Sequence, residues 1–301
     1  MNKSVGSIRK IWYNTENNVG GDTMLYLLLA VISSMMVSVT MRLSVGRIHN
    51  DIGMLSVSYF TCMLLTFAYV YPIGKVSGES GMGTALILGM TAGILLLAGF
   101  MMLQINIQTN GVVLSATFAK LGVVVPTVVS ILFFGEQMKA VQAAGFLLTL
   151  TAIWLVNGEK DRGNADFKTG LVLFLLVNGV ADAMAKIYEE LGNPLLKDVY
   201  LCITFIMASM LSAVLAFRKK EHIGFAEVRW GILLGIPNYY SVRFIMKALA
   251  EIPAVITYPT YSVATIAAIT VVGIIIFREK LSRKQQVAIG IIAVAIALLN
   301  I

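Results

Sequence analysis

The chain has 301 residues, of which 58% are hydrophobic and 13% are charged. Soluble domains contain roughly 45–50% apolar and 25% charged residues, so this composition excludes an ordinary soluble protein. The net charge of +7 would suggest a nucleic-acid partner in a soluble protein. Here the basic residues fall in short loops between apolar runs, where positive charge is an orientation signal. We therefore expect a lipid bilayer as the surroundings and no nucleic acid.

A polar tail, residues 1–23, precedes ten apolar runs. Each run has the roughly 17–25 residues that cross a hydrocarbon core as a helix. Cys62 and Cys202 both lie inside runs, so no disulfide framework is predicted. We predict an all-α polytopic membrane protein that inserts through its first span. Its ten transmembrane helices are expected at about 24–45, 53–72, 84–105, 111–134, 140–156, 169–188, 198–217, 228–249, 253–277 and 285–301.

The C-terminal part of the chain repeats its middle. Residues 127–157 share 11 identities in 31 ungapped positions with the residues 143 places further on. Apolar composition does not explain the polar matches, which are Thr127 with Thr270, Glu136 with Glu279, Gln142 with Gln285 and Asn157 with Asn300. We interpret the chain as a tandem duplication. Residues 24–157 form the first repeat, 158–168 a charged linker, and 169–301 the second repeat.

Each repeat contains five predicted spans, which is an odd number. The second copy must therefore cross the membrane upside down relative to the first. Inverted repeats of this kind place a binding site near the bilayer midplane, at the interface between the repeats. The sequence thus predicts ten transmembrane helices as two inverted five-helix repeats, in two bundles related by an axis in the membrane plane.

A short motif follows the fourth span and returns near the C-terminus; in the first copy it consists of Phe134, Gly135, Glu136, Gln142 and Gly145. This motif resembles the drug/metabolite transporter superfamily, EamA-domain branch. The second copy departs from it at Arg278 and Ala288, which replace the two glycines. The resemblance covers residues 24–301. It implies ten helices, two inverted five-helix repeats and transport of small metabolites.

Polar residues inside the spans indicate a candidate substrate site. Asn178, Asp182 and Lys186 follow one another at intervals of one helical turn on the sixth span, and Tyr239 and Arg243 do so on the eighth. A membrane helix with aligned polar residues turns that face to protein or water. The predicted substrate-binding residues are Lys120, Arg243, Tyr239, Tyr258, Tyr261, Asn178, Asp182 and Gln104.

Lys120 and Arg243 lie deepest in their spans, where a cation costs roughly 2.5–3.5 kcal/mol on insertion. We expect both to face one central cavity. Five cations lie in the spans against one acid, Asp182, which predicts a substrate with a carboxylate or phosphate. In the competing interpretation Asp182 neutralises Lys186, Arg42 and Lys247 extend to the membrane interface, and the remaining charge only repels cations.

The sequence has no G-x-x-x-x-G-K-[ST] loop, no H-E-x-x-H and no apparent nucleophile set. We expect no enzyme activity, no cofactor and no metal. Glu136 and Glu279, at helix ends, are expected to be structural. The function predicted is secondary transport, by export or exchange, of small polar metabolites, including anionic ones, through a central cavity between the two repeats. The alternative is a membrane scaffold or lipid-interacting protein on the same fold.

Lys and Arg outside the spans number six on the side of the N-terminal tail and twelve on the opposite side. Positive-inside counting would therefore place both termini outside, whereas the family resemblance implies both inside. The expected location is a cell membrane, the bacterial inner or plasma membrane. Orientation and oligomeric state stay open at this point.

Overall fold

The structure, a computed structural model, describes residues 19–70, 80–110, 118, 119, 121–157, 169–218, 223–277 and 283–301. Its regular elements are ten α-helices and one short 3₁₀ turn, Pro194–Leu196, within these ranges. The helices are α1 Val19–Ser44, α2 Asp51–Val70, α3 Met82–Asn110, α4 Val124–Phe134, α5 Ala140–Asn157, α6 Thr169–Leu191, α7 Lys197–Arg218, α8 Phe225–Leu249, α9 Ala254–Phe277 and α10 Arg283–Leu299.

One helix lies within or across each of the ten predicted spans. The first begins at Val19, inside the predicted tail, while residues 1–18 and the predicted linker 158–168 lie outside the described residues. Within the described residues, six helical segments are long and apolar enough to cross a membrane: Met24–Ser44, Asp51–Ala68, Met82–Leu103, Gly170–Leu191, Pro194–Arg218 and Ala254–Ile276. The chain is a multi-pass membrane protein whose described part is all helical.

The remaining helices are shorter or carry more charge. The shorter apolar segments are Val124–Phe134, Ala140–Leu155 and Ile289–Leu299. Helix α8 has 25 residues but contains Glu227, Arg229, Arg243 and Lys247. Its charges make it less apolar than the six long segments, because each charged side chain in a span opposes transfer into hydrocarbon.

Most of the extensive helix contacts join one half of the chain to the other. Helix α1 packs on α8 and α9, α2 on α7 and α8, and α3 on α6 and α7. Exchanging each helix for the one five places along gives pairs that are also in contact: α1·α8 becomes α6·α3, α2·α8 becomes α7·α3, and α1·α9 becomes α6·α4. The two halves are therefore packed alike. They interlock rather than stand side by side as separate bundles.

Two glycines one turn apart let α3 approach α7 closely. A Cβ on Gly89 would lie 2.9 Å from the carbonyl oxygen of Tyr200, and one on Gly93 would lie 2.5 Å from that of Thr204. These distances leave no space for any side chain. Small residues at this spacing are typical of membrane helices whose backbones touch.

Helices α2 and α8 repeat this contact in the same register. A Cβ on Gly231 would lie 2.7 Å from the carbonyl oxygen of Met54, and one on Gly235 would lie 2.6 Å from that of Ser58. The glycines follow those of α3 by 142 positions, and their partners on α2 precede those on α7 by 146. The two close helix contacts are thus alike in geometry and in register.

Buried apolar side chains form two clusters. One includes Tyr59, Phe205 and Tyr239 and lies among α2, α3, α6, α7 and α8. The other includes Val123 and Tyr258 and lies among α1, α5, α8, α9 and α10. Both clusters contribute to the wall of a cavity, which is therefore enclosed by helices of both halves.

Candidate functional site

A cavity of about 320 Å³ lies between the halves, lined by α3, α6, α7, α8, α9 and the segment that precedes α4. Its wall mixes apolar side chains with hydroxyls, an amide and a carboxylate. The polar lining residues are Asn178, Asp182, Tyr200, Thr204, Ser241, Tyr258, Tyr261 and Ser262. Such a mixture, mostly apolar with a few placed polar groups, is typical of a small-molecule site.

Four of the predicted site residues lie in this wall: Asn178, Asp182, Tyr258 and Tyr261. The Tyr258 hydroxyl donates to the carbonyl oxygen of Asp182 at 2.7 Å, which bonds α9 to α6. The hydroxyls of Tyr261 and Ser241 are 2.9 Å apart and bond α9 to α8. The side chain of Asp182 is exposed, and because Asp182 lines the cavity this exposure indicates contact with the cavity solvent.

Arg243 is placed differently from the prediction. It does not line the cavity that the structure describes; instead it donates to Asp198 at 2.7 Å and also to the hydroxyl of Tyr239. Tyr239 is fully buried in a core cluster rather than in the cavity wall. The prediction treated Arg243 as a cation without a protein partner. Asp198, in the first turn of α7, supplies that partner and lowers the cost of burying the charge.

Lys120 lies outside the described residues, and the side chain of Gln104 does too. The residue before Lys120, Ala119, lines the cavity and accepts a hydrogen bond from the Asn178 amide at 3.3 Å. A cavity position for Lys120 therefore stays a prediction.

Lys186 forms the centre of a charged cluster. Its ammonium is 2.7 Å from Glu136 and 2.5 Å from Glu190, which is one turn further along α6. The ion pair along its own helix is thus with Glu190, not with Asp182 as one interpretation of the sequence had it. Two carboxylates around one buried ammonium satisfy its charge and its donors.

Glu136 is held in place by the end of α4. Gly135 has φ of +66° and ends the helix in the left-handed conformation, which favours glycine because it has no Cβ. The Glu136 carboxylate then accepts from the backbone N–H groups of Ala254 at 3.0 Å and Val255 at 2.9 Å, the first residues of α9. A carboxylate is favourable there because a helix N-terminus is partly positive. Glu279 lies outside the described residues.

A second glutamate caps a helix near the start of α8. Glu227 accepts from the backbone N–H groups of His49 at 2.8 Å, Asn50 at 3.4 Å and Gly224 at 2.9 Å, and so fixes the start of α2. The His49 N–H, with the other backbone donors, holds the pKa of the buried Glu227 below its ordinary value, although burial acts in the opposite direction.

Sequence reasoning missed several cavity residues. Tyr200 and Thr204 stand one turn apart on α7, a spacing that was available as a signal. On α8 the cavity face is formed by Ser241, Val242 and Ile245. Ser241 lies two residues, about 200° around the helix, from the predicted Tyr239 stripe, so the wrong face of α8 was assigned to the cavity.

Comparison with known proteins adds three findings. Residues 196–292 match the family model described as Small Multidrug Resistance protein. An uncharacterized protein of Haemophilus influenzae is 22% identical over 277 residues, which are 87% of this chain and 93% of that protein. A solved crystal structure superposes with a TM-score of 0.71 at 14% identity and covers 92% of this chain and 96% of its own.

The C-terminal part of the chain is similar to a transporter family. The matched region contains α7, α8, α9 and most of α10, so it includes three of the helices that line the cavity. The likeness to the crystal structure shows that the fold is shared over nearly the whole chain. Together with the apolar helices, the match of residues 196–292 to that family supports a membrane transporter.

Proposed function

We propose that the chain is a secondary transporter, an exporter or exchanger, that carries small polar metabolites through the cavity between its two halves. The observation that supports this most directly is the polar-lined cavity enclosed by helices of both halves. A fixed scaffold has no need of a space of about 320 Å³, which lies in the range of ligand pockets, roughly 300–1,000 Å³.

In this proposal all ten helices cross the membrane and the halves form inverted repeats of the EamA type. The support comes from the matched helix contacts and from the glycine pairs, which touch the partner helix in the same register in both halves. Five helices per copy require inversion. A site at the interface of inverted repeats then lies near the midplane, where alternate opening to either side is possible.

The cavity wall suggests the chemistry of the substrate. Tyr200, Tyr258 and Tyr261 offer aromatic surface, while Asn178 and Ser262 offer polar groups. A small metabolite with a polar head and an apolar body fits such a wall.

The excess of cations in the predicted spans suggested an anionic substrate, but two of these cations, Arg243 and Lys186, are paired with carboxylates of the protein. Asp182 is the charged side chain in the described part of the lining. The proposal of an anionic substrate therefore depends on Lys120, whose compact ammonium would supply the positive charge next to Ala119.

Purified protein in liposomes tests the function. Preloaded vesicles would be assayed for exchange of radiolabelled metabolites from anionic, zwitterionic, neutral and cationic classes. We expect saturable exchange of at least one class, reduced in Asp182→Asn and Lys120→Met. Thr91→Ala is the matched control, because Thr91 is exposed on α3 and bonds only the carbonyl oxygen of Ile87 among the described contacts. Absence of exchange across the whole panel, with folded protein, would favour the scaffold alternative.

A further inference from the structure

We propose that Glu136 and Lys186 form a latch that closes one end of the cavity, the end at which α6 finishes and α9 begins, and that this latch opens during transport. The proposal rests on the transport function and assigns a moving part to it. We call this end of the cavity the Glu136 end; it consists of Glu136, Lys186, Glu190, Asp198 and Arg243.

The latch joins three separate elements through one carboxylate. Glu136, at the end of α4, contacts Lys186 on α6 at 2.7 Å. The same carboxylate accepts from the N–H groups of Ala254 and Val255, at the beginning of α9. Elements from both halves of the chain therefore meet at Glu136, and the movement of α4 and α9 away from α6 requires that its contact with Lys186 break.

The cluster lies directly against the cavity. Lys186 follows the lining residue Ala185, and Val255 precedes the lining residue Tyr258 by three positions. Exposure falls along α6 toward the C-terminal end of the helix: Asp182 is exposed, whereas the Lys186 side chain, one turn further on, is only 5% exposed. The Lys186 side chain is therefore shielded from the solvent that reaches Asp182, as the proposed closure of the Glu136 end requires.

A second ion pair reinforces the same end. Arg243 on α8 contacts Asp198 on α7. Arg243 directly follows the lining residue Val242, and Asp198 precedes the lining residue Tyr200 by two positions. The displacements of 146 and 142 residues found for the glycine contacts give the corresponding positions in the other half. Asp198 then corresponds to Ile52, and Arg243 corresponds to Met101. This pair is therefore specific to one end of the cavity.

Glu190 explains how the latch can open without stranding a charge. A buried cation that loses its only partner is strongly disfavoured. Glu190 lies on the same helix as Lys186, is 39% exposed, and already contacts the ammonium at 2.5 Å. When α4 and α9 move away from α6, Lys186 keeps Glu190 as its counter-ion. Glu136 keeps the N–H groups of α9, so each charge retains a partner in both states.

Cysteine labelling tests the latch without any need for a known substrate. Ser262→Cys places a thiol in the cavity wall, and Leu195→Cys, 66% exposed on the turn before α7, reports which membrane face carries the Glu136 end. The two native cysteines are buried, so the parent chain provides the blank. A membrane-impermeant maleimide is applied to proteoliposomes from the side that labels Leu195→Cys.

We expect Lys186→Met to speed labelling of Ser262→Cys from that side about tenfold or more, because loss of a buried partner weakens the closed state by at least 1.4 kcal/mol. The matched control is Lys197→Met, which removes the 2.6 Å pair of Lys197 with Glu189 between α6 and α7 at the same end but touches neither α4 nor α9. The control should label at the parent rate.

Glu190→Gln provides a second test. Glu190 is 39% exposed, so we expect this variant to fold. It should slow labelling from the same side, because the open state then lacks its counter-ion, whereas mere loosening would speed it. An unchanged labelling rate in Lys186→Met, or an equal acceleration in Lys197→Met, overturns the latch. If the Lys186 variant does not fold, faster labelling in Glu190→Gln overturns it instead. These rates are independent of transport, so a chain that moves no substrate can still support or contradict the latch.

Discussion

Gly235 on α8 lies so close to α2 that a Cβ there would be 2.6 Å from the carbonyl oxygen of Ser58. Gly93 on α3 stands in the same relation to Thr204 on α7, at 2.5 Å. Neither partner is a flexible side-chain end, so an added methyl group forces the helices apart. Two glycines four residues apart therefore set the distance between the helices in both pairs, α3 with α7 and α2 with α8.

Gly93→Ala and Gly235→Ala should each destabilise the protein by about 1–3 kcal/mol through overpacking. Gly83→Ala is the matched control on α3, because a Cβ there meets nothing within 4 Å. It should be neutral or slightly stabilising, since alanine favours helix over glycine by roughly 1 kcal/mol. Thermal unfolding in detergent measures all three. Equal stability of Gly83→Ala and Gly93→Ala would contradict close backbone packing.

Glu227→Gln should destabilise the protein at neutral pH by about 1–3 kcal/mol, because a carboxylate that accepts three backbone N–H groups becomes an amide. The folded pKa of Glu227 lies below its ordinary value. Its stabilisation is therefore fully present above the unfolded pKa of about 4.3 and is lost as the pH falls through the folded pKa. Melting curves of wild type and variant, recorded from pH 7 down to pH 3, should converge at the acid end. A gap independent of pH would refute this account.

Arg243→Met should lower stability by roughly 1–3 kcal/mol, since it removes a charged hydrogen bond to Asp198 and another to Tyr239. The double variant with Asp198→Asn should lose less than the sum of the single variants, because the two residues act as a pair. Thermal unfolding of the four proteins gives this coupling. If Arg243 instead binds substrate directly, Arg243→Met would abolish exchange while the coupling with Asp198 stays near zero.

Tyr261→Phe should weaken substrate binding by about 1 kcal/mol, roughly fivefold, because the cavity loses a hydroxyl and Ser241 loses its partner at 2.9 Å. The half-saturation concentration in the exchange assay reports this change. Tyr59→Phe serves as the matched control, because Tyr59 is buried in a core cluster and does not line the cavity that the structure describes. A similar loss in both variants would indicate general destabilisation.

The positions of the helices could be predicted from the sequence because length and hydropathy suffice to locate membrane spans. Asn178, Asp182, Tyr258 and Tyr261, which were predicted to bind substrate, lie in the cavity wall, and their binding of substrate stays a prediction. A stripe of polar residues shows that a helix has a polar face but not which neighbour that face meets. For this reason the Tyr239 stripe was assigned to the cavity, although it contacts α7 at Asp198.

The charge pairs could not be predicted for a different reason. Glu136, Glu190 and Asp198 lie at the ends of predicted spans, where charged residues are usually solvated, so they were not considered as partners for cations inside the spans. Only the fold shows that Glu136 reaches Lys186 and α9. Two pairs of glycines stand four residues apart in the sequence, Gly89 with Gly93 and Gly231 with Gly235. Because small residues at this spacing let membrane helices approach closely, they could have indicated both close helix contacts.

The interlocking of the halves bears on how the protein is made. Helices α1–α5 find their most extensive partners among α6–α10, yet they leave the ribosome first. During synthesis the first half must therefore remain loosely associated in the bilayer until α7 and α8 arrive to cover α2 and α3. Until then the glycine faces of the first half lie against lipid or a chaperone, so truncation after residue 157 should give a protein that inserts but is rapidly degraded. Co-expression of residues 169–301 as a separate chain would rescue it.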